Sequence, residues 1–583
     1  MYIKVNFVIL WTVLIVKGQE STGTFWQITD IHLDPFYSED GQVGNLCHKT
    51  SSYTIRKASS DPKSKSRSHG NTNENEPERP GMFGTYGCDS PSILVDSAVH
   101  AMKQFKSDAD FIVWTGDNIG HVGSISSLEI NKMIRNITDL IQYNFPNADI
   151  FPVLGNHDSV PYGQLPVKKK DPFYAKILRQ SGWGKTFNDT DVVKDFKSGG
   201  YYSRLINPAL RLVGLNTALY YNQDELSEGI DDPVGQFKWL AETLEKAKSS
   251  GEKVMIIGHV PPGTMERVRD LAFYYPDFNK KFLNLVTDYL DVIVTQVFGH
   301  IHLDSFRLYF GDDGIPKGSL FLGPSVTSFR AYAPTAVPNN PSVRLYTYNR
   351  DTGEILDIHQ YYLDLAKANE KKSAEWLLEY QATKAYNIPD LSPKSLDLLL
   401  QSFKKRKSER FSKYYKYNAV SYDTGIPCVR NACKATHICS ISHLDYDEYN
   451  KYFESSLSSE ERSVDTSRNK LNHSMELEKL PVFHSNNIHS FGQVLMAVNI
   501  PEEASTGQST LDSSTPHPHH HHHHQKHVPG YMVIVIIALV VIVIILFTIV
   551  TLMCMHNRRA YLAGPRYVLV KPSHQSYGSI MDA

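Results

Sequence analysis

The chain has 583 residues, 41% of them apolar, with 60 basic and 62 acidic side chains. That length exceeds one ordinary domain, and the apolar share is ample for a sizeable core. The near balance of charge excludes the bulk attraction to nucleic acid that a strongly basic chain carries.

In chain order, residues 1–18 read as a secretory signal peptide: Lys4, the mostly apolar Val5 to Val16, then Gly18 as a small residue suited to cleavage. From 23 to 365, apolar runs alternate with amphipathic stretches. Strands are expected at Phe25 to Thr29, Phe111 to Thr115, Ile150 to Leu154, Leu212 to Leu215, Val254 to Ile257 and Val292 to Phe298. Helices are expected at Ile93 to Phe105, Leu128 to Tyr143 and Pro233 to Lys248, the last with Asp232 as N-cap. After His302 short alternating strands take over, at Ser305 to Phe310, Ser319 to Leu322, Arg344 to Tyr348 and Ile355 to Tyr362. The pattern predicts an α/β domain with two sheets packed between helices. Residues 51–80, rich in Ser, Lys, Asn, Glu and Pro, interrupt it as a disordered insertion, which a Cys47–Cys88 bridge would close into a loop.

Residues 366–453 form a smaller module with helical patterns at Ser373 to Tyr386 and Ser392 to Phe411, closing with Cys428, Cys433 and Cys439. Residues 454–528 are polar and read as a disordered stalk. The run of histidines after Pro516 reads as an unstructured tract, with metal binding as the alternative. Tyr531 to Met555 carries no charge and is long enough for a transmembrane helix, and Arg558 with Arg559 assigns the tail, 556–583, to the cytoplasm. A GPI signal would end in its apolar stretch, whereas polar residues continue here.

The expectation is a type I single-pass membrane protein whose bulk lies outside the cytosol, at the plasma membrane or in the endolysosomal lumen. Tyr577 to Ile580 has the form of a tyrosine-based endocytic signal, and Cys554 sits at the inner membrane edge. Export agrees with three glycosylation sequons, at Asn136, Asn188 and Asn472. It also makes disulfides available to Cys47, Cys88, Cys428, Cys433 and Cys439, an odd number.

Chemistry gathers in five motifs: Asp30 and His32 in ITDIH, Asp117 in WTGDN, Asn156 in LGNHD, His259 in IIGHV, and His300 with His302 in FGHIH. Each directly follows an apolar run, where an open α/β sheet collects functional side chains. Four have Gly immediately before the ligand, which suits a tight turn that aims the next side chain at a shared centre. Any one motif alone is commonplace. Five in order, each after a strand, describe a metal site. Imidazole suits Zn, Fe and Mn, while oxygen ligands suit harder cations. Seven ligands exceed one four-coordinate ion, and Asp117, midway, is the natural bridge between two. Two metals about 3.5–4 Å apart can position a hydroxide and stabilise both oxygens of an in-line displacement at phosphorus.

The set resembles the calcineurin-like metallophosphoesterase superfamily, with its DxH, GD, GNH[DE], GH and GHxH pattern. The resemblance implies a four-layer α-β-β-α sandwich and two zinc ions. Asp30, His32, Asp117 and His302 would hold one ion; Asp117, Asn156, His259 and His300 would hold the other. His157 falls at the family's general-acid position. Gly120 stands where purple acid phosphatases place a metal-binding Tyr, and Gly116 to Val122 lacks the Asp-Arg-Gly of phosphoprotein phosphatases.

Trp114 to His121 instead resembles the acid sphingomyelinase group, in which the His four residues after the Asp, here His121, is a second catalytic histidine. Leu46 to His48, Gly87 to Pro91 and Asn339 to Tyr346 also look like that group. The nearest resemblance, over about residues 23 to 445, is to acid sphingomyelinase-like phosphodiesterases. Their C-terminal cysteines form two pairs. Here Cys428 with Cys433 is the expected pair, and Cys439 lacks its downstream partner; Ser342 also stands where the family has Gly.

The implied activity is hydrolysis of phosphoester or phosphoanhydride bonds in extracellular or luminal nucleotides and CDP-choline-like substrates, by metal-hydroxide attack. Sphingomyelin or another phospholipid is the alternative substrate. A catalytically inactive surface receptor on the same scaffold is a third reading, against which the complete ligand set argues. Nothing in the pattern sets an oligomeric state.

Overall fold

The computed structural model describes residues 22–49 and 79–457, apart from 124, 270, 330–336, 424, 426, 429 and 430. The expected signal peptide, most of the 51–80 insertion, the stalk with its His run and Asn472, the membrane span and the tail lie outside those residues. Among the described residues no helix is long and apolar enough to cross a membrane.

Two mixed six-stranded sheets form the core, with strand orders β12-β11-β10-β1-β2-β3 and β4-β5-β6-β7-β9-β8. In the first, β1 (Thr22–Ile28), β2 (Phe111–Trp114) and β3 (Asp149–Pro152) run parallel. Antiparallel partners β10 (Ser342–Asn349), β11 (Ile355–Leu363) and β12 (Trp376–Gln381) extend the other edge. In the second, β5 (Leu210–Gly214), β6 (Lys253–Ile257), β7 (Ile293–Phe298) and β9 (Pro316–Leu322) run parallel. Antiparallel β4 (Tyr202–Asn207) and β8 (Ser305–Phe310) form its edges.

The inner strands are apolar runs because both sheet faces are covered; every residue of β2 and β5 is buried. Where the sheets meet, polar anchors join the apolar packing. Gln27 on β1 donates to the Phe298 carbonyl on β7 (2.9 Å), and Arg344 on β10 donates to the Leu322 carbonyl on β9 (3.1 Å).

Helices Ser92–Phe105 and Ser127–Asn144 follow β1 and β2 in the chain. The second begins with a capping box between Ser126 and Glu129, and it buries Ile130, Met133, Ile134, Ile137 and Ile141 at helical spacing. Asp232 accepts from the amides of Phe237 and Lys238 (2.8 and 3.1 Å), and thereby caps helix Gln236–Ser250 from across a short 3₁₀ turn.

Two expectations are corrected. Ser373 to Tyr386 is not one helix: β12 pairs with β11, and only Ala382–Tyr386 is helical. Trp376 and Tyr380 lie four residues apart and mimic a helical stripe, yet both are β-favouring aromatics beside a sheet edge that needs a partner. Ser392 to Phe411 is two helices, Pro393–Phe403 and Glu409–Asn418. The basic run Lys404 to Lys407 breaks the apolar spacing, and Ser408 caps the second helix by accepting from the Phe411 amide (3.1 Å).

The helical C-terminal region carries a Cys428–Cys433 disulfide, and a second bridge joins Cys47 to Cys88. Cys439 is a buried free thiol packed with Tyr449 and Phe453. Helices Pro393–Phe403 and Asn431–Ser442 pack against β8. Beneath them lies a fully buried ion pair, Arg307 on β8 with Glu266 (3.0 Å).

Candidate active site

All five motifs leave the carboxyl ends of parallel strands: Asp30 and His32 after β1, Asp117 after β2, Asn156 after β3, His259 after β6, and His300 with His302 after β7. Because β1, β2 and β3 are neighbours in one sheet, and β6 and β7 in the facing one, the loops converge. Backbone pairing carries past the strands to fix them. The Asp30 amide bonds the Gly116 carbonyl, His32 bonds Asp117, and Gly299 bonds His259 (3.0, 3.0 and 3.1 Å).

The turns are made by the ligands themselves. Asp30, His32, Asp117, His300 and His302 all have left-handed backbone, with φ of 47°, 47°, 53°, 73° and 60°. For L residues that conformation is costly and concentrates at functional sites. Of the four preceding glycines, expected to make these turns, only Gly116 has positive φ (89°). The others are glycine for lack of room. A Cβ on Gly155 would fall 2.1 Å from Asp117 Oδ1, and one on Gly299 would fall 2.1 Å from Thr29 Oγ1 and 2.6 Å from Asp30 Oδ2.

The side chains gather as two triads, Asp30–His32–His302 and Asp117–His259–His300, each with ligand atoms within 4.8 Å of one another. Asn156 joins the second, its Oδ1 3.0 Å from His259 Nε2. Asp117 Oδ2 lies 3.4 Å from His32 Nε2 and 3.2 Å from His259 Nε2, so one oxygen touches both groups. His302 Nε2 is 3.4 Å from Asp30 Oδ1.

These separations fit cations. Ligand atoms about 2.0–2.2 Å from a tetrahedral ion stand roughly 3.3–3.5 Å apart. Neither ring nitrogen of buried His32 makes a hydrogen bond of good geometry: Nδ1 has Asp89 Oδ1 at 3.3 Å, and an ion at Nε2 would satisfy the other nitrogen. Supporting bonds aim the ligands: His259 Nδ1 meets the Thr115 carbonyl (2.6 Å), and Asp30 accepts from Thr29 Oγ1 (2.7 Å) and the His300 amide (2.9 Å).

Electrostatics agree. Burial opposes charge on His32 and His259, yet neighbouring carboxylates, Asp117 foremost, raise them to about 10 and about 9. Burial likewise opposes ionisation of Asp117, but the charge and hydrogen bond of His259 hold it well below the ordinary carboxylate range. Burial pushes His300 down to about 3. The centre thus pairs ionised carboxylates with protonated imidazoles, whose protons a bound cation would displace.

His157 and His121 border the first triad. The His157 amide donates to Asp117 Oδ1 (2.8 Å), and its ring lies 4.4 Å from His32 and 4.5 Å from His121. Burial holds His157 well below its usual range. His121 stacks on Phe329 (4.2 Å).

Residues missed in the sequence complete the surroundings. Asp158 accepts from the Gly155 and Asn118 amides (2.8 and 2.9 Å), tying the β2 and β3 loops together. Tyr162 OH accepts from Asn156 Nδ2 (3.0 Å). Asp89, fully buried, reaches both His32 and His121. The signal for Asp89 was present in Gly87 to Pro91, but its reach toward the centre depends on three loops that only folding brings together. Of the expected sequon residues, Asn136 and Asn188 are exposed.

A fold of two mixed sheets with Asp/His triads at their strand ends defines a metallophosphoesterase. The family model for calcineurin-like phosphoesterase matches residues 23–304, and that for the acid sphingomyelin phosphodiesterase C-terminal region matches residues 315–458. The chain is 38% identical over 438 residues to the cyclic GMP-AMP phosphodiesterase SMPDL3A of Bos taurus, spanning 74% of this chain and 91% of that one. It is 35% identical over 434 residues to the acid sphingomyelinase-like phosphodiesterase 3b of Homo sapiens (73% and 89%). It is also 35% identical over 451 residues to the sphingomyelinase phosphodiesterase C of Dictyostelium discoideum (75% and 94%). The chain belongs to the acid sphingomyelinase-like phosphodiesterases and is a metal-dependent phosphodiesterase.

Proposed function

We propose that this chain hydrolyses nucleotide phosphodiesters at a two-zinc centre outside the cytosol. The observation that carries the reading is Asp117 Oδ2 lying between His32 and His259, with His157 and His121 at one margin of the same centre. Asp30, His32, Asp117 and His302 would hold one ion, and Asp117, Asn156, His259 and His300 the other. The histidine-rich donor set favours zinc. Bound there, the two ions supply a Lewis acid and a nucleophile at neutral pH. His157 or His121 protonates the leaving oxygen, and the loop amides hold the carboxylates in place. A nucleotide substrate draws support from the 38% identity to a protein named for cyclic GMP-AMP.

Turnover of cyclic GMP-AMP, CDP-choline, bis-p-nitrophenyl phosphate and sphingomyelin by the zinc-loaded protein tests the reading. Hydrolysis of sphingomyelin alone would transfer the assignment to lipids. Inactivity of wild type on all four between pH 4 and 8 would abandon it.

The proposal includes export through residues 1–18 and anchorage through 531–555. The two disulfides suit an oxidising compartment. Surface biotinylation of cells expressing the chain checks this, and Tyr577→Ala asks whether the tail motif drives uptake: unchanged uptake removes the motif.

A further inference from the structure

Among the described residues, Asp89 is the one fully buried carboxylate beside the centre that belongs to none of the five motifs and faces two of its histidines. Its Oδ1 lies 3.3 Å from His32 Nδ1. Its two oxygens lie 3.2 and 3.1 Å from His121 Nδ1, and Oδ2 accepts from the His121 amide at 2.6 Å. We propose that Asp89 is a positioning residue that serves the metal site and His121, one of the two proton-transfer histidines, together, holding the His32 and His121 imidazoles in the tautomer protonated on Nδ1. This rests on the two-metal phosphodiesterase reading above and deepens it.

The chemistry follows from the two nitrogens of each ring. His32 turns Nε2 toward Asp117 Oδ2. An imidazole that ligates through Nε2 must carry its proton on Nδ1, and an acceptor there fixes the ring and strengthens the ligand. His121 presents Nδ1 to the same carboxylate, which directs its Nε2 away from Asp89. One anion thus sets which nitrogen of a metal ligand and which nitrogen of a proton-transfer group face outward from it. A carboxylate can accept all three N–H groups, because both oxygens are acceptors only. A carboxamide cannot, since its NH₂ would oppose one Nδ1–H.

Several features hold Asp89 in position. Cys88 is bridged to Cys47. Ser90 is paired on both sides, its amide to the His32 carbonyl and its carbonyl to the Asp34 amide (both 2.9 Å). Gly120 gives it room: a Cβ there would fall 2.6 Å from the Asp89 carboxyl carbon. The glycine that separates this chain from Tyr-bearing phosphatases is therefore the space Asp89 occupies.

The test uses the full-length chain. Asp89→Asn should bind zinc 10- to 100-fold more weakly when metal-free protein is titrated against a chelator. At saturating zinc it should also lose kcat on a nucleotide diester whose leaving oxygen needs a proton, such as cyclic GMP-AMP, with little further loss when combined with His121→Ala. Wild-type zinc affinity in Asp89→Asn, or kcat losses that add fully in the double variant, would overturn the proposal. If Asp89→Asn does not fold, ¹⁵N shifts of the histidines in zinc-loaded wild type decide: Nδ1–H at both His32 and His121 is required, and Nε2–H at either rejects it. A wild type that binds two zinc ions and turns over substrate, beside an unaffected variant, overturns this inference alone. A wild type that does neither overturns the parent reading.

Discussion

At each candidate metal-binding position the side chain and the backbone make separate demands. The side-chain demand is visible in any reading of the motifs, because Asp, Asn and His after apolar runs are unusual. The backbone demand is not, since Asp30, His32, Asp117, His300 and His302 adopt left-handed φ that nothing in their identity announces. The glycines were read as the turn-makers, but Gly155 and Gly299 are there to clear space for carboxylates. Gly299→Ala should therefore push Asp30 aside and lose at least one metal ion per chain by elemental analysis, while circular dichroism stays as in wild type. His157→Ala should lower kcat/KM by about 10²–10⁴ on a nucleotide diester, the range for a general acid. On bis-p-nitrophenyl phosphate the loss should be smaller, because nitrophenolate leaves with little help from a proton. Equal losses on both substrates would move the acid role from His157 to His121.

Among the elements, those carrying the ligands were the most legible, because buried parallel strands are mostly apolar, and their bounds shift by one to three residues. The edges of the sheets were harder. β4 and β12 are half-buried and lack an unbroken apolar run, so their identity comes from partners β5 and β11 rather than from their own residues. Between elements, cross-links carry the stability. The Cys47–Cys88 bridge spans 41 residues, and closing a loop of that size contributes about 4 kcal/mol in the chain-entropy model. Cys47→Ser with Cys88→Ser should lower the denaturation midpoint and, by freeing Asp89, weaken metal binding as well. The Arg307–Glu266 pair has both side chains wholly out of solvent. Arg307→Met would leave Glu266 buried without its partner and should cost about 3–5 kcal/mol in chemical denaturation. Adding Glu266→Gln should recover part of that loss.

For the molecule as a whole, buried carboxyls tie stability to pH. Burial pushes Asp224 from an ordinary 3.8 to about 7, although the Leu165 and Leu226 amides both donate to it. Between those values the unfolded chain releases a proton that the folded chain keeps, so this group's contribution falls as pH rises from about 4 to 7. Asp224→Asn should flatten that slope, reducing the difference in thermal midpoint between pH 5 and pH 7.5. The overall architecture was legible as two sheets with helices, because apolar runs and amphipathic helical stretches alternate along the chain, with short alternating strands after His302. How the two halves divide the sheets was not. The two family matches meet between residues 304 and 315, yet β10, from the second, lies against β1, from the first. That pairing matters during synthesis. β1 is made early, and its β10 neighbour emerges roughly 300 residues later, about 15–60 s at typical elongation rates. Through that interval the strand that leads into Asp30 and His32 has an open edge, so a ribosome-stalled nascent chain ending before residue 342 should be held by chaperones and unable to retain metal.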